Sequence, residues 1–128
     1  MPNKGEPITT KFSVDISELK AGIQEANRQI KLANSEFKAA ASGMDDWSKS
    51  ADGLSAKIQQ LSSVQDAENK KLELLKEQYK LVAAEQGENS VAAQNLQMKI
   101  NTQQAAVNIV PLELNKYSQQ IGDLRNAQ

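Results

Sequence analysis

The sequence predicts an all-α fold: an elongated helical hairpin or coiled coil, preceded by one more helix and a short extended N-terminal segment. Three observations lead there. Apolar residues recur at alternating steps of three and four, which is the spacing of a heptad seam. Of the 33 seam positions from Ile16 to Gln128, six are polar, namely Gln65, Glu68, Gln86, Asn89, Gln103 and Gln128. A globular bundle rarely keeps one phase through its turns, so this count favours a rod. Finally, aromatic residues make up only 4% of the 128 residues, while Ala, Gln, Asn and Ser abound. At about 25 cal/mol for each Å² of apolar surface removed from water, Ala-rich seams bury little, so modest stability and a gain from oligomerisation are expected.

Residues 1–14 form the first segment. Met1 to Pro7 contains Pro2, Gly5 and Pro7 and reads as a flexible leader. From Ile8 to Val14 the alternation of Ile8, Thr10, Phe12 and Val14 signals a short strand. Such a strand needs a partner from another copy or another protein. The alternative is an extended leader with Phe12 tucked onto a helix.

The first helix is expected over 15–44. Asp15 followed by Glu18 makes a capping-box-like start. Its seam runs through Ile16, Leu19, Ile23, Ala26, Ile30, Ala33, Phe37, Ala40 and Met44. Gly22 sits inside it at a cost of about 1 kcal/mol relative to Ala; it either permits a close helix contact or is a tolerated surface residue. Between Ser42 and Gly53 the pattern is punctuated. Gly43 can end the first helix, and Asp45 or Asp46 can cap the next segment. Trp47, the only tryptophan, has two readings. It is a partner anchor, in keeping with the enrichment of Trp in binding hot spots, or a staple that closes the corner between helices.

Residues 45–128 read as an antiparallel hairpin, with helices over 52–86 and 90–126. Its first arm carries Leu54, Ile58, Leu61, Leu72, Leu75, Tyr79 and Val82; the second carries Leu96, Ile100, Val107, Leu114, Tyr117, Ile121 and Leu124. The turn falls at Gly87, Asn89 and Ser90. Gly87 suits a left-handed position that ends a helix, and Asn89 or Ser90 can cap the next. If facing residue numbers add to 175, Leu75 meets Ile100, Tyr79 meets Leu96 and Val82 meets Ala93. Further along, Leu61 meets Leu114, Ile58 meets Tyr117 and Leu54 meets Ile121. Two layers are mixed, Leu72 with Gln103 and Glu68 with Val107. The rival is one unbroken helix, but Gly-Glu-Asn-Ser is poor chemistry for a helix interior. Pro111 predicts a kink in the last helix, or a division into two helices with Pro111 in the first turn of the second. The ending GDLRNAQ stops in mid-pattern and reads as a segment of a longer protein.

Composition argues against most chemistry. Net charge is −1 and the signs are interspersed, so there is no footprint for nucleic acid. Cys and His are both absent, which removes thiol chemistry, the commonest metal ligands and the commonest general base. The serines therefore lack a histidine to activate them. Asp45 and Asp46 are adjacent and point in different directions on a helix, so they read as caps. No catalytic residue, cofactor, metal or small-molecule ligand is expected, and no apolar run reaches a membrane span.

The order of features resembles the N-terminal region of phage or prophage tail tape measure proteins. The residues that carry the likeness are FSVDISELKAGIQEANRQI, then DDWSKSADGLSAKIQQL, then LLKEQYKLVAAEQGENSVAAQNLQMKI, with a looser match in NIVPLELNKYSQQIGDL. It covers nearly all of Lys11 to Leu124, and Pro111 departs from the uninterrupted helix of the pattern. The resemblance implies a structural protein that occupies the lumen of the virion tail and sets tail length. Its partners would be the tail tube protein, tail assembly chaperones met in the host cytoplasm, and tail tip or neck proteins, with further copies of itself. The other reading is a stand-alone helical-hairpin interaction protein, or a secreted WxG-like protein, although Trp47 is followed by Ser48 and Lys49 and the Gly87 turn has no Trp.

Overall fold

The computed structural model describes residues 5–127, with side chains from residue 11 onward. Three long helices follow one another: α1 (Gly5–Ala41), α2 (Ala51–Gln86) and α3 (Val91–Asn126). A single 3-10 turn, Trp47–Lys49, sits between the first two. Helices of 36 or 37 residues give the molecule a length of about 55 Å at 1.5 Å per residue.

Helix α2 is central, and both α1 and α3 pack along it in antiparallel fashion. For α1, Asn34 accepts a hydrogen bond from Gln60 Nε2 at 2.8 Å, and Gly22 lies beside Leu74. For α3, Leu72, Leu75 and Val82 form one core with Ala93, Leu96 and Ile100. Phe12, Ile16 and Ile23 of α1 pack against that same core, as do Tyr79 and Val107. The fold is thus all-α and contains the expected α2–α3 hairpin, to which α1 adds a third layer.

The strand expected at Ile8 to Val14 is not present: these residues belong to α1, which begins at Gly5. The physical reason lies in spacing and pairing. Phe12, Ile16 and Ile23 share one helical face, and that face has a core to bury against. A strand here would have no neighbouring strand among the described residues, whereas a helix satisfies its backbone groups within the segment. Pro7 is tolerated because it falls in the first turn, where the N–H is free in any case. Asp15 accordingly is no cap; it lies inside α1 and pairs with Lys11 at 3.3 Å. The part of the leader from Met1 to Lys4, and the seam position Gln128, lie outside the described residues.

Helix α1 stops at Ala41, three residues before the expected Met44, and Ser42 closes its last turn through hydrogen bonds from its N–H to Lys38 and from its hydroxyl to Ala39. Gly43 has no positive φ and open space where a Cβ would stand. The second turn does need its glycine. Gly87 has φ 98° and ψ 150°, a region that is essentially glycine's alone and is distinct from the left-handed helical region expected there. Its N–H bonds to the Ala83 carbonyl at 2.8 Å, and Ser90 then caps α3 by accepting from the Ala93 N–H at 3.1 Å. Helix α3 runs without interruption through Pro111.

These two glycines make a direct test. Gly87→Ala is expected to cost about 1–3 kcal/mol, read as a lower denaturation midpoint, because the backbone must hold a conformation that a Cβ resists. Gly43→Ala is expected to change stability by no more than about 0.5 kcal/mol.

Candidate functional site

The most organised local structure is the corner between α1 and α2. It is built from short-range capping. The Asp46 carboxylate accepts from the Ser48 N–H at 3.0 Å and from the Ser48 hydroxyl at 2.6 Å, which winds Trp47–Lys49 into one 3-10 turn. The Ser48 hydroxyl bond, then its N–H, and the charge of Lys49 together hold the Asp46 carboxyl below its ordinary value. Ser50 then caps α2 by accepting from the Gly53 N–H at 3.0 Å.

The chain folds so tightly here that Gly53 has no room for a side chain. A Cβ on it would stand 2.1 Å from the Trp47 carbonyl oxygen and 2.5 Å from Trp47 Cα. Backbone against backbone leaves nothing flexible to yield. This contact aims the indole into the bundle, between Phe37 of α1 and Tyr117 of α3. Ring centroids lie 5.1 Å apart for Phe37–Trp47 and 5.5 Å for Trp47–Tyr117, both edge-on. Lys57 of α2 places its ammonium 4.6 Å from the Phe37 centroid and 5.5 Å from that of Trp47, in cation–π range. One side chain from each of the three helices therefore meets Trp47. Nearby Leu54 is completely buried, and Ile121 is buried as well.

No protein-family model, curated protein or solved structure matches the chain.

The remaining sequence-predicted positions fall along the helix contacts. Leu61, Leu72, Leu75, Val82, Leu96 and Ile100 are buried, and Ile16, Leu19, Ile23, Ile30, Ile58, Tyr79, Val107, Leu114 and Leu124 are half-buried. Glu68 and Gln103, polar within the seam, answer one another: Gln103 Nε2 donates to the Glu68 carbonyl at 2.9 Å and to its carboxylate at 3.1 Å. Gln103 is buried, so this pair supplies a polar layer that fixes hairpin register. Gln86 and Asn89 are exposed at the turn, where the seam has no facing helix. Among the described residues no three His, Cys, Asp or Glu side chains are grouped to hold a metal ion, and no helix is long and apolar enough to cross a membrane.

Sequence reasoning missed a second set of contacts on α2. Lys57, Gln60, Val64, Ala67, Lys71, Leu74, Gln78 and Leu81 also alternate by three and four, and each is buried or half-buried. This second seam carries the α1 contacts made by Lys57, Gln60 and Leu74. Four of its eight members, Lys57, Gln60, Lys71 and Gln78, are lysines or amides, which is why apolar periodicity does not reveal it. Gly53 had a signal, since a glycine early in a helix calls for a packing reason.

The α1–α2 packing generates two sets of expectations, the first on its glycines. Gly53→Ala should lower stability by at least about 2 kcal/mol, as a strained core substitution does. Gly22→Ala should stay within about 1 kcal/mol of the parent, because a gain in helix propensity offsets displacement of the flexible Leu74 tip. Both are read by thermal or chemical denaturation. Second, the depressed Asp46 carboxyl means that its cap contributes stability that is whole above the ordinary value of 3.8 and fades as pH falls below it, through the lower folded value. Trp47 fluorescence should report that loosening in acid, and Asp46→Asn should flatten the response.

Proposed function

We propose that this chain is the N-terminal part of a phage or prophage tail tape measure protein, a structural protein of tail assembly that occupies the tail tube lumen and helps set tail length. The observation that carries the reading is where the distinctive residues of the resemblance fall. Trp47 and the Gly53-Leu54 step form the α1–α2 corner, Tyr79 packs against the core beside the second turn, and Gly87 to Ser90 make that turn. The likeness therefore resides in the residues that direct the chain's reversals, beyond a general helical composition. A rod of stacked helices also suits a lumen, and the Gln- and Asn-rich outer surface suits a tube that must later be vacated. Tail tube subunits, assembly chaperones and tip or neck proteins are the partners this reading implies.

One observation favours a second reading. The α1–α2 pair is itself a hairpin with a tryptophan in its corner, as in the helical pairs of secreted WxG-type proteins. Here, however, Lys49 stands where that motif has its glycine, and a third helix covers the indole through Tyr117.

The test is an in-frame deletion within α2 of the parent protein, with tails measured by electron microscopy. Shorter tails are the expected outcome. Tails of unchanged length would overturn a ruler role for this region and leave an attachment role in its place.

A further inference from the structure

The outer face of α3, turned away from α2, is exposed and almost without charge. Between Ser90 and Leu112 the only charged residue is Lys99. On this face Val91 is 73% exposed, Met98 60%, Ile109 52% and Leu112 71%. Val91, Met98, Ala105 and Leu112 are spaced seven apart, and Ile109 falls on the intermediate step. The helix thus carries a second heptad seam, opposite the one that packs on α2. Solvent-facing helix positions are ordinarily charged or polar, whereas interface cores are poor in charge and enriched in Met.

We propose that this seam is an interface between two copies of the chain, paired antiparallel about a two-fold axis near Asn101 and Thr102. Self-complementarity singles out a second copy as the occupant. When facing numbers add to 203, Val91 meets Leu112, Met98 meets Ala105 and Ile109 lies across from Gln94, each contact occurring twice as a two-fold axis requires. The large Met98 is matched with a small residue. Lys116, next on the stripe, arrives at the partner copy's Gly87–Glu88 turn. There the Glu88 carboxylate and the negative end of α2 complement its charge. A parallel pairing would instead set Lys116 against Lys116 and Met98 against Met98.

The rest of the surface agrees. Between α1 and α3, over Leu75 and Gln78, runs an open groove of about 790 Å³ whose rim carries Lys20, Lys71 and Lys99. In the proposed register the partner segment opposite the α3 wall of this groove includes Gln104, Ala105 and Asn108 and no charged residue. Lys99 therefore faces Gln104 and meets no opposing cation. Contact from Val91 to Leu112 extends over about 32 Å of helix. This inference does not depend on the tape measure reading.

The chain contains no cysteine, so cross-linking reads the register directly. Met98→Cys and Ala105→Cys chains, mixed and oxidised, should form the disulfide between the two different variants in several-fold excess over either self-disulfide. Light scattering of the unmodified chain should give twice the chain mass. Met98→Lys combined with Leu112→Lys should return it to a single chain mass with unchanged helical circular dichroism, since both positions are exposed. A single-chain mass for the unmodified protein, a dominant self-disulfide, or a dimer that survives the double lysine variant would each overturn the proposal.

Discussion

Helix α2 has to bury two faces, one against each neighbour, with a sequence whose apolar residues fill little more than one. The face toward α3 takes the leucines, the valine and the tyrosine. The face toward α1 alternates Val64, Ala67, Leu74 and Leu81 with lysines and amides, met from α1 by Gly22, Ala26, Ala33 and Asn34. Everything else in the molecule follows from that allocation. The α2–α3 pair is a hydrophobic hairpin with one polar layer. The α1–α2 pair depends on close approach of small residues, on a Gln–Asn bond and on the aromatic corner.

The corner in turn depends on a steric fact about one atom. Because Gly53 lacks a Cβ, the peptide after Trp47 can lie against the start of α2. That placement brings the indole to Phe37 and Tyr117, so a local cap and a long-range contact share the same residues. Asp46, Ser48 and Ser50 arrange the backbone, and Trp47 converts that arrangement into a link among three helices.

Much of this was legible beforehand, and the failures are informative. The α2–α3 turn and the residues that share its core followed from apolar spacing, since Leu, Ile and Val at one phase admit few other solutions; the polar layers did not, because Gln103 bonds to Glu68 and not to the expected Leu72 layer. At Gly87 the sequence calls for a glycine, but ψ 150° sets it apart from the left-handed helical region, a distinction that local residue preference does not carry. Ile8 to Val14 misled because β-branched residues in alternation are a local preference, and Phe12 found a core at helical spacing instead. The second seam of α2 is hidden because Lys57, Gln60, Lys71 and Gln78 interrupt its apolar members. At the corner, Ser50 and Gly53 are small residues whose importance lies in the space they leave.

The Ala-lined contact of α1 has a consequence for how the molecule comes apart. Among the described side chains of α1, the fully buried ones are two alanines, Ala26 and Ala33, whereas α2 and α3 bury leucine, isoleucine and valine. Removing α1 uncovers side chains that are mostly half-buried, such as Phe12, Ile16 and Ile23, whereas opening the hairpin uncovers fully buried leucines, isoleucine and valine. Sub-global opening is therefore graded, with α1 as a separable foldon and α2–α3 as the more protected one. Amide hydrogens in α1 should therefore exchange before those of the hairpin.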